Sequence, residues 1–198
     1  MEAVQLVLAG VIGYLLGSAN ASLIVGKFYG VDVRQHGSGN AGATNTLRTL
    51  GKTAAALVGV GDVLKGVLAC ILGKYLAGDL GLMVGGVGAI LGHNWPLYFG
   101  FKGGKGIFTS FAVVLLMDWK IGLLLLGIFA LLTAVTRYVS LGSVVGSVLF
   151  PVFGLLFGRG TEFVVFAAIL AALAVYRHRA NLQRLMNGTE SKLGSKKK

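Results

Sequence analysis

The sequence predicts an all-α, polytopic membrane protein of about seven transmembrane helices, and three observations carry that prediction. Of the 198 residues, 55% are hydrophobic and only 13% charged, with a mean hydropathy of +0.80. A soluble domain carries roughly 25% charged residues and could not cover its surface with so few. The 32 glycines suit helices that pack closely in lipid through small-xxx-small faces, a spacing present at Gly13/Gly17, Gly81/Gly85, Gly88/Gly92, Gly142/Gly146 and Gly154/Gly158. Apolar runs of membrane length recur along the whole chain.

A spanning helix needs roughly 20 mainly apolar residues. Runs at about 3–25, 53–77 and 80–100 reach that length. The run at 106–117 is short: it either reaches the interfaces through Lys105 and Trp119 or is re-entrant. Runs at 120–136, 141–157 and 162–176 complete a count of seven, with five or six as the alternatives. Glu2 stands where a signal peptide would carry basic residues, and the first apolar run continues into the next loop, so no cleavable signal is expected.

A net charge of +11 raises the possibility of a nucleic-acid partner. The lysines and arginines form no stripe, however; they sit at the ends of apolar runs and read as topology signals. The positive-inside rule then places the N-terminus outside and the C-terminus in the cytoplasm. That leaves Lys27, Arg34, Arg48, Lys52, Lys102, Lys105, Arg137, Arg177, Arg179 and Arg184 inside, and Lys74, Lys120 and Arg159 outside beside Asp79, Asp118 and Glu162. Residues 1–190 read as one integral membrane domain and 191–198 as a basic, disordered tail, with Lys196, Lys197 and Lys198 facing anionic lipid. Cys70, the only cysteine, excludes a disulfide framework. Asp62 and Lys65 share a helical face inside the second run. Each charge alone costs about 2.5–3.5 kcal/mol at mid-membrane on insertion scales, so they pair or face a polar interior, as a structural ion pair or as part of a site.

Three polar clusters, all cytoplasmic by this topology, carry chemistry. The first is Gly37-Ser-Gly-Asn-Ala-Gly-Ala-Thr-Asn-Thr-Leu-Arg48. Its Gly37, Gly39 and Gly42 spell GxGxxG, but the dinucleotide fingerprint needs a preceding strand and a βαβ unit, which membrane helices exclude. The physics survives: glycine amides and a helix N-terminus favour an anion, Ser38, Asn40, Thr44 and Asn45 add donors, and Arg48 can fork onto a phosphate. The alternative is a plain polar turn, which would be shorter. The second cluster, Gly92 to Gly106, has an aromatic belt followed by Gly103-Gly-Lys105-Gly106. No Ser or Thr follows Lys105, so it is no Walker A loop, yet a lysine among glycines at a helix start is a second anion site. His93 reads as a helix-end hydrogen-bonding residue or a catalyst. The third joins Arg137-Tyr-Val-Ser-Leu-Gly-Ser143 to Arg177-His-Arg-Ala-Asn181 and Asn187-Gly-Thr-Glu190. His178 and Asn181 lie on one face if the last helix continues, and His178 is either interfacial or functional.

Absences narrow the chemistry. The positions five after His36, His93 and His178 are Ala41, Tyr98 and Gln183, so the His-x4-Asp dyad of acyl-CoA acyltransferases is missing. With no HExxH and no DxxD, neither a metal nor a cofactor is expected.

On these residues the chain resembles the PlsY family, the bacterial membrane acyl-phosphate:glycerol-3-phosphate acyltransferases. The likeness covers nearly the whole chain. It rests on Gly37 to Asn45 through Arg48, Asp62 and Lys65, Gly92-His93, Phe101-Lys-Gly-Gly-Lys-Gly106, Ser140-Leu-Gly-Ser143, and His178, Asn181, Arg184, Gly188 and Glu190. Gly17-Ser-Ala-Asn-Ala-Ser22 departs from the family in lacking a proline after the first Gly-Ser. The resemblance implies a seven-helix inner-membrane enzyme with its active site on the cytoplasmic face. It would transfer a fatty acyl group from acyl phosphate to glycerol 3-phosphate, and an upstream acyl-phosphate-forming enzyme would be a partner. Ser38, Gly39, Asn40, Ala41, Gly42, Thr44 and Asn45 would hold acyl phosphate. Arg48, Gly103, Gly104, Lys105, Gly106, Ser143, His178 and Asn181 would hold glycerol 3-phosphate. Ser38, Lys105 and His178 are the catalytic candidates, with the substrate phosphate as an alternative base, and Asp62, Lys65 and Glu190 are structural. A small permease for an organic phosphate is the competing function; it would need more polar residues within the spans.

Overall fold

The computed structural model describes residues 1–194. Among the described residues the regular elements are helices: α1 (Glu2–Ser18), α2 (Ala21–Phe28), α3 (Ala43–Leu50), α4 (Lys52–Asn94), α5 (Ile107–Met117), α6 (Trp119–Thr136), α7 (Val139–Leu156), α8 (Thr161–Arg177) and α9 (Arg179–Met186). Short 3-10 turns lie at Val33–Gln35 and Leu97–Phe99. Within the single domain expected for 1–190, the chain packs as two compact units, Met1–Met117 and the remainder from Asp118.

The first unit is organised by α4. At Ala77 and Gly78 its backbone leaves the helical region, with Gly78 at φ +61, a left-handed conformation that glycine adopts without a Cβ clash. The chain reverses there. A Cβ at Gly73 would meet the Gly81 carbonyl oxygen, one at Gly85 would lie 2.6 Å from the Ala69 carbonyl oxygen, and one at Gly86 would lie 3.2 Å from Cys70 Sγ. α4 is therefore a hairpin of two antiparallel legs. α1 runs alongside the second leg in the same direction: Gly13 abuts Gly85, Gly17 abuts Ala89, and Gly88 and Gly92 abut the carbonyls of Gly10 and Tyr14. The glycine pairs of the first three expected faces form backbone-to-backbone seams that admit no side chain. Gly158 differs: nothing lies within 4 Å of it, and at φ +65 it follows the end of α7.

The first apolar run breaks at Asn20, whose Oδ1 accepts from the Leu23 amide at 3.2 Å and so caps α2. In the second unit, Asp118 caps α6 through the amides of Lys120 and Ile121, at 3.0 and 3.2 Å, and pairs with Arg159. Phe150 and Phe163 meet edge to face across α7 and α8, with ring centroids 5.4 Å apart.

Four helical stretches, Glu2–Phe28, Lys52–Phe99, Trp119–Thr136 and Val139–Leu156, are long and apolar enough to cross a membrane. α8 with α9, bent by 59°, makes a fifth if counted as one span. Against the expected seven, two features account for the difference. The 53–77 and 80–100 runs are joined in α4, and the 106–117 run is α5, only 11 residues long. At about 1.5 Å per residue α5 reaches roughly 16 Å, half of a hydrocarbon core about 30 Å thick.

Candidate active site

The loop between α2 and α3 is built on one side chain. Asn45 Oδ1 accepts from the Ser38 amide at 2.8 Å, and its Nδ2 donates to the carbonyls of Val33 at 2.8 Å and His36 at 3.0 Å. A Cβ at Gly37 would strike that same Oδ1. Asn45 is 1% exposed. Expected as a direct phosphate donor, it is turned inward instead, because the hydrogen bonds of its amide are made within the loop. Ser38 and Gly39 stay exposed, Asn40 and Thr44 are half-buried and Ala41 is fully buried. α3 starts at Ala43, so the loop sits at the positive end of a helix dipole. Thr44 and the exposed Arg48, four apart, share one face of α3.

The second loop leaves α4 at Asn94. Tyr14 OH donates to the Trp95 carbonyl at 2.8 Å, and the Leu97 amide donates to Ser18 Oγ at 3.1 Å, so α1 anchors its start. Gly100 and Phe101 both take left-handed backbone, at φ +65 and +59. For phenylalanine this is strained. The Gly104 amide then folds back to the His93 carbonyl at 3.1 Å. A Cβ at Gly104 would meet both His93 Nε2 and the Ala41 carbonyl oxygen, so the two glycine loops touch at this point.

Arg34, read from sequence only as a topology signal, joins them a second time. Its guanidinium holds Asp32 at 2.8 to 3.2 Å and donates to the carbonyls of Phe99 at 3.1 Å and Lys102 at 3.4 Å. The Arg34 guanidinium beside Asp32 holds that carboxyl below the usual range, and Asp32 in turn raises Arg34. Beneath Gly104, Asp62, Lys65 and His93 form a buried cluster. Lys65 Nζ lies 2.9 Å from both Asp62 Oδ1 and His93 Nδ1, and His93 Nδ1 lies 3.2 Å from Asp62 Oδ1. Asp62 and Lys65 pair with each other inside the first leg, as expected, and the hairpin sets them level with His93 at the end of the second leg.

The second unit holds the remaining candidates. His178 lies at the corner between α8 and α9, 2% exposed. The last helix does not continue straight but bends there by 59°, and Asn181 stands in the first turn of α9. His178 Nδ1 lies 2.8 Å from the Ala174 carbonyl. A carbonyl only accepts, so Nδ1 carries the proton and Nε2 of the neutral ring is the basic nitrogen. Ser143 Oγ donates to the Val139 carbonyl at 2.9 Å.

Glu190 collects three donors: Asn181 Nδ2 at 2.6 Å and Ser140 Oγ at 2.7 Å on Oε1, and Arg184 Nε at 2.7 Å on Oε2. Burial pushes this carboxyl up, but the three hydrogen bonds and the charge of Arg184 more than offset it, leaving Glu190 below its ordinary 4.5. A carboxylate lowered in the folded state contributes stability above its unfolded pKa, and that contribution is lost as pH falls through the lower folded value. Glu190→Gln is therefore expected to lower the neutral-pH unfolding midpoint and to flatten the acid limb of its pH dependence. An unchanged acid limb would contradict this. Of the expected tail, residues 191–194 are described: the Leu193 amide donates to the Arg137 carbonyl at 2.7 Å, and the Arg137 guanidinium donates to the Leu193 carbonyl. Lys196, Lys197 and Lys198 lie outside the described residues.

The expected residues thus fall into two groups. Ser38, Gly39, Asn40, Ala41, Gly42, Thr44, Asn45, Arg48, Gly103, Gly104, Lys105 and Gly106 gather in the first unit; Ser143, His178, Asn181 and Glu190 belong to the second. Sequence reasoning missed Arg34, and the inward turn of Asn45.

A family model described as glycerol-3-phosphate acyltransferase matches residues 7–188. The chain is 49% identical over 191 residues to a glycerol-3-phosphate acyltransferase of Thermoanaerobacter sp. strain X514, covering 96% of each. It is 46% identical over 204 residues to one of Clostridioides difficile strain 630, covering 100% of each. Among solved structures it is similar to crystal forms of PlsY, an integral membrane glycerol 3-phosphate acyltransferase. The glycerol 3-phosphate form has a TM-score of 0.91 at 36% identity, over 96% of each chain. The lysophosphatidic acid form has a TM-score of 0.88 at 35% identity, over 96% of this chain and 95% of that one.

Proposed function

The chain belongs to the glycerol-3-phosphate acyltransferase family, and on that premise we propose that it moves a fatty acyl group from acyl phosphate to the 1-hydroxyl of glycerol 3-phosphate. The products are lysophosphatidic acid and inorganic phosphate, the first step of phospholipid synthesis. The observation that carries this reading is the junction at Gly104, where two glycine-rich, cation-bearing loops meet against the Ala41 carbonyl. Two phosphate-type loops suit a reaction whose two substrates are both phosphate anions.

Acyl phosphate is a mixed anhydride and is already activated, so no covalent enzyme intermediate is required. Ser38, Thr44 and the amides of Gly39 to Gly42 hold its phosphate and stabilise the charge that develops as it leaves. Lys105, Arg48, His178, Asn181 and Ser143 are the residues assigned to glycerol 3-phosphate. The 1-hydroxyl oxygen attacks the acyl carbonyl carbon, the bond to the bridging phosphate oxygen breaks, and the phosphate departs with that electron pair. The hydroxyl proton goes to the departing phosphate, whose second pKa is about 6. His178 Nε2 is the alternative acceptor. The protein lies in the bacterial inner membrane, with its N-terminus outside and this chemistry at the cytoplasmic face.

Purified protein in lipid, given acyl phosphate and glycerol 3-phosphate, is expected to release inorganic phosphate, and acyl-CoA is expected not to replace the donor. Absence of release with acyl phosphate sinks the proposal. For the base, His178→Gln is expected to keep turnover within about tenfold at saturating substrate while KM for glycerol 3-phosphate rises. A loss beyond about 100-fold in kcat, the scale of general base catalysis, would make His178 the base.

A further inference from the structure

The buried cluster under Gly104 has no part in the chemistry above, and it is a costly way to hold helices together. Asp62 is 2% exposed, Lys65 6% and His93 2%. Ion pairs taken out of water must offset a large desolvation penalty. The same unit packs α1 and both legs of α4 through glycine seams, which carry no such cost. A structural purpose alone therefore leaves the charges unexplained.

Their connections say what they do. The Asp62 carbonyl accepts from Thr109 Oγ1 in the first turn of α5 at 3.1 Å. Lys65 Nζ also donates to the Ala19 carbonyl, at the break between α1 and α2, at 3.4 Å. The His93 carbonyl receives the Gly104 amide at 3.1 Å and Asn20 Nδ2 at 3.4 Å. His93 Nδ1 lies between Lys65 Nζ, which can only donate to it, and Asp62 Oδ1, which can only accept from it, so the ion pair engages this edge of the ring and leaves Nε2 on the opposite side. That nitrogen faces the Gly104 backbone and the Ala41 carbonyl, and the ring edge at Cδ2 lies 3.8 Å from where a Gly106 Cβ would stand. One face of the imidazole is fixed by the ion pair while the other fills the space between the two glycine loops.

We propose that His93 is a positioning residue: clamped by Asp62 and Lys65, its ring sets the separation of Ala41 in the first loop from Gly104 in the second, and with it the affinity for glycerol 3-phosphate. The affinity clause rests on the assignment of these loops to substrate phosphates; the positioning clause does not.

The test uses the full chain in lipid nanodiscs and two readouts, hydrogen exchange of the amides in Gly39–Gly42 and Gly103–Gly106, and steady-state phosphate release. His93→Leu is expected to speed exchange in both loops and to raise KM for glycerol 3-phosphate about tenfold, with a smaller change in kcat, since displacements below 1 Å act on this scale. His93→Gln, which can return a polar atom to the Nε2 position, is expected to recover most of both effects, and Asp62→Asn to fall between them. Exchange confined to wild-type rates in both loops overturns the proposal. So does faster exchange spread evenly through α1 and α4, which would mark a merely structural role, and so does a kcat loss at constant KM. If the wild type shows no phosphate release, the acyl-transfer reading fails, and the exchange data alone decide the positioning role.

Discussion

Gly104→Ala is expected to lower kcat/KM by about 100-fold or more while the protein still folds and inserts. The added methyl group has nowhere to go. It would meet the Ala41 carbonyl oxygen on one side and His93 Nε2 on the other. Neither is the free end of a flexible chain: Ala41 is backbone in a loop fixed by Asn45, and the His93 ring is held by Lys65 and Asp62. The loops must therefore part, and a misplacement of about 1 Å at a reacting geometry can cost on the order of 10²-fold. Gly127→Ala in α6 is the matched control, because nothing lies within 4 Å of its Cβ position. The measurement is phosphate release from both variants at equal protein in lipid. Equal rates for Gly104→Ala and wild type would remove the loop junction from the reaction.

Asn45→Ala is expected to be the most damaging single change in the first loop, although on the proposed reading its side chain never touches substrate. It removes three hydrogen bonds at a position 1% exposed. At about 1 kcal/mol each, with the Ser38 amide losing its Asn45 acceptor, the loss is about 3 kcal/mol. Asn45→Asp keeps the acceptor for the Ser38 amide but turns a carboxylate towards the Val33 and His36 carbonyls, and is expected to be no better than alanine. Unfolding followed by denaturant titration, alongside phosphate release, checks both. If Asn45→Ala retains wild-type stability and loses only substrate affinity, Asn45 is a direct ligand and its inward geometry is not what matters.

These two residues mark the limit of what is legible in sequence. The helical class and the loop positions depend on local pattern: apolar runs set spans, and glycine density beside Ser38, Arg48 and Lys105 marks anion loops. The turn between the 53–77 and 80–100 runs is legible too, because Ala77 and Gly78 sit between them with charged Lys74 and Asp79 alongside, which pair at 3.1 Å. The roles of Arg34, Asn45 and His93 depend instead on partners far away in the chain, such as Phe99 for Arg34 and Asp62 for His93. No local pattern states those contacts. For Asn45 a signal existed: a short amide in the first turn of a helix after a glycine loop bonds backbone readily. The break of the first apolar run into α1 and α2 is not legible, because it depends on the Asn20 side chain capping α2. Whether the last helix continues past the 162–176 run is left open by the sequence; at His178 the backbone turns without a glycine or proline to announce it.

The Arg34 clasp gives the first unit a thermodynamic property. One guanidinium grips Asp32 beside the first loop and the Phe99 and Lys102 carbonyls of the second, so the two loops are linked directly. A ligand that orders one loop removes part of the entropy cost of ordering the other. On the proposed assignment the two substrates then bind with positive coupling. Reciprocity requires that whatever factor acyl phosphate lends to glycerol 3-phosphate affinity is returned in equal measure.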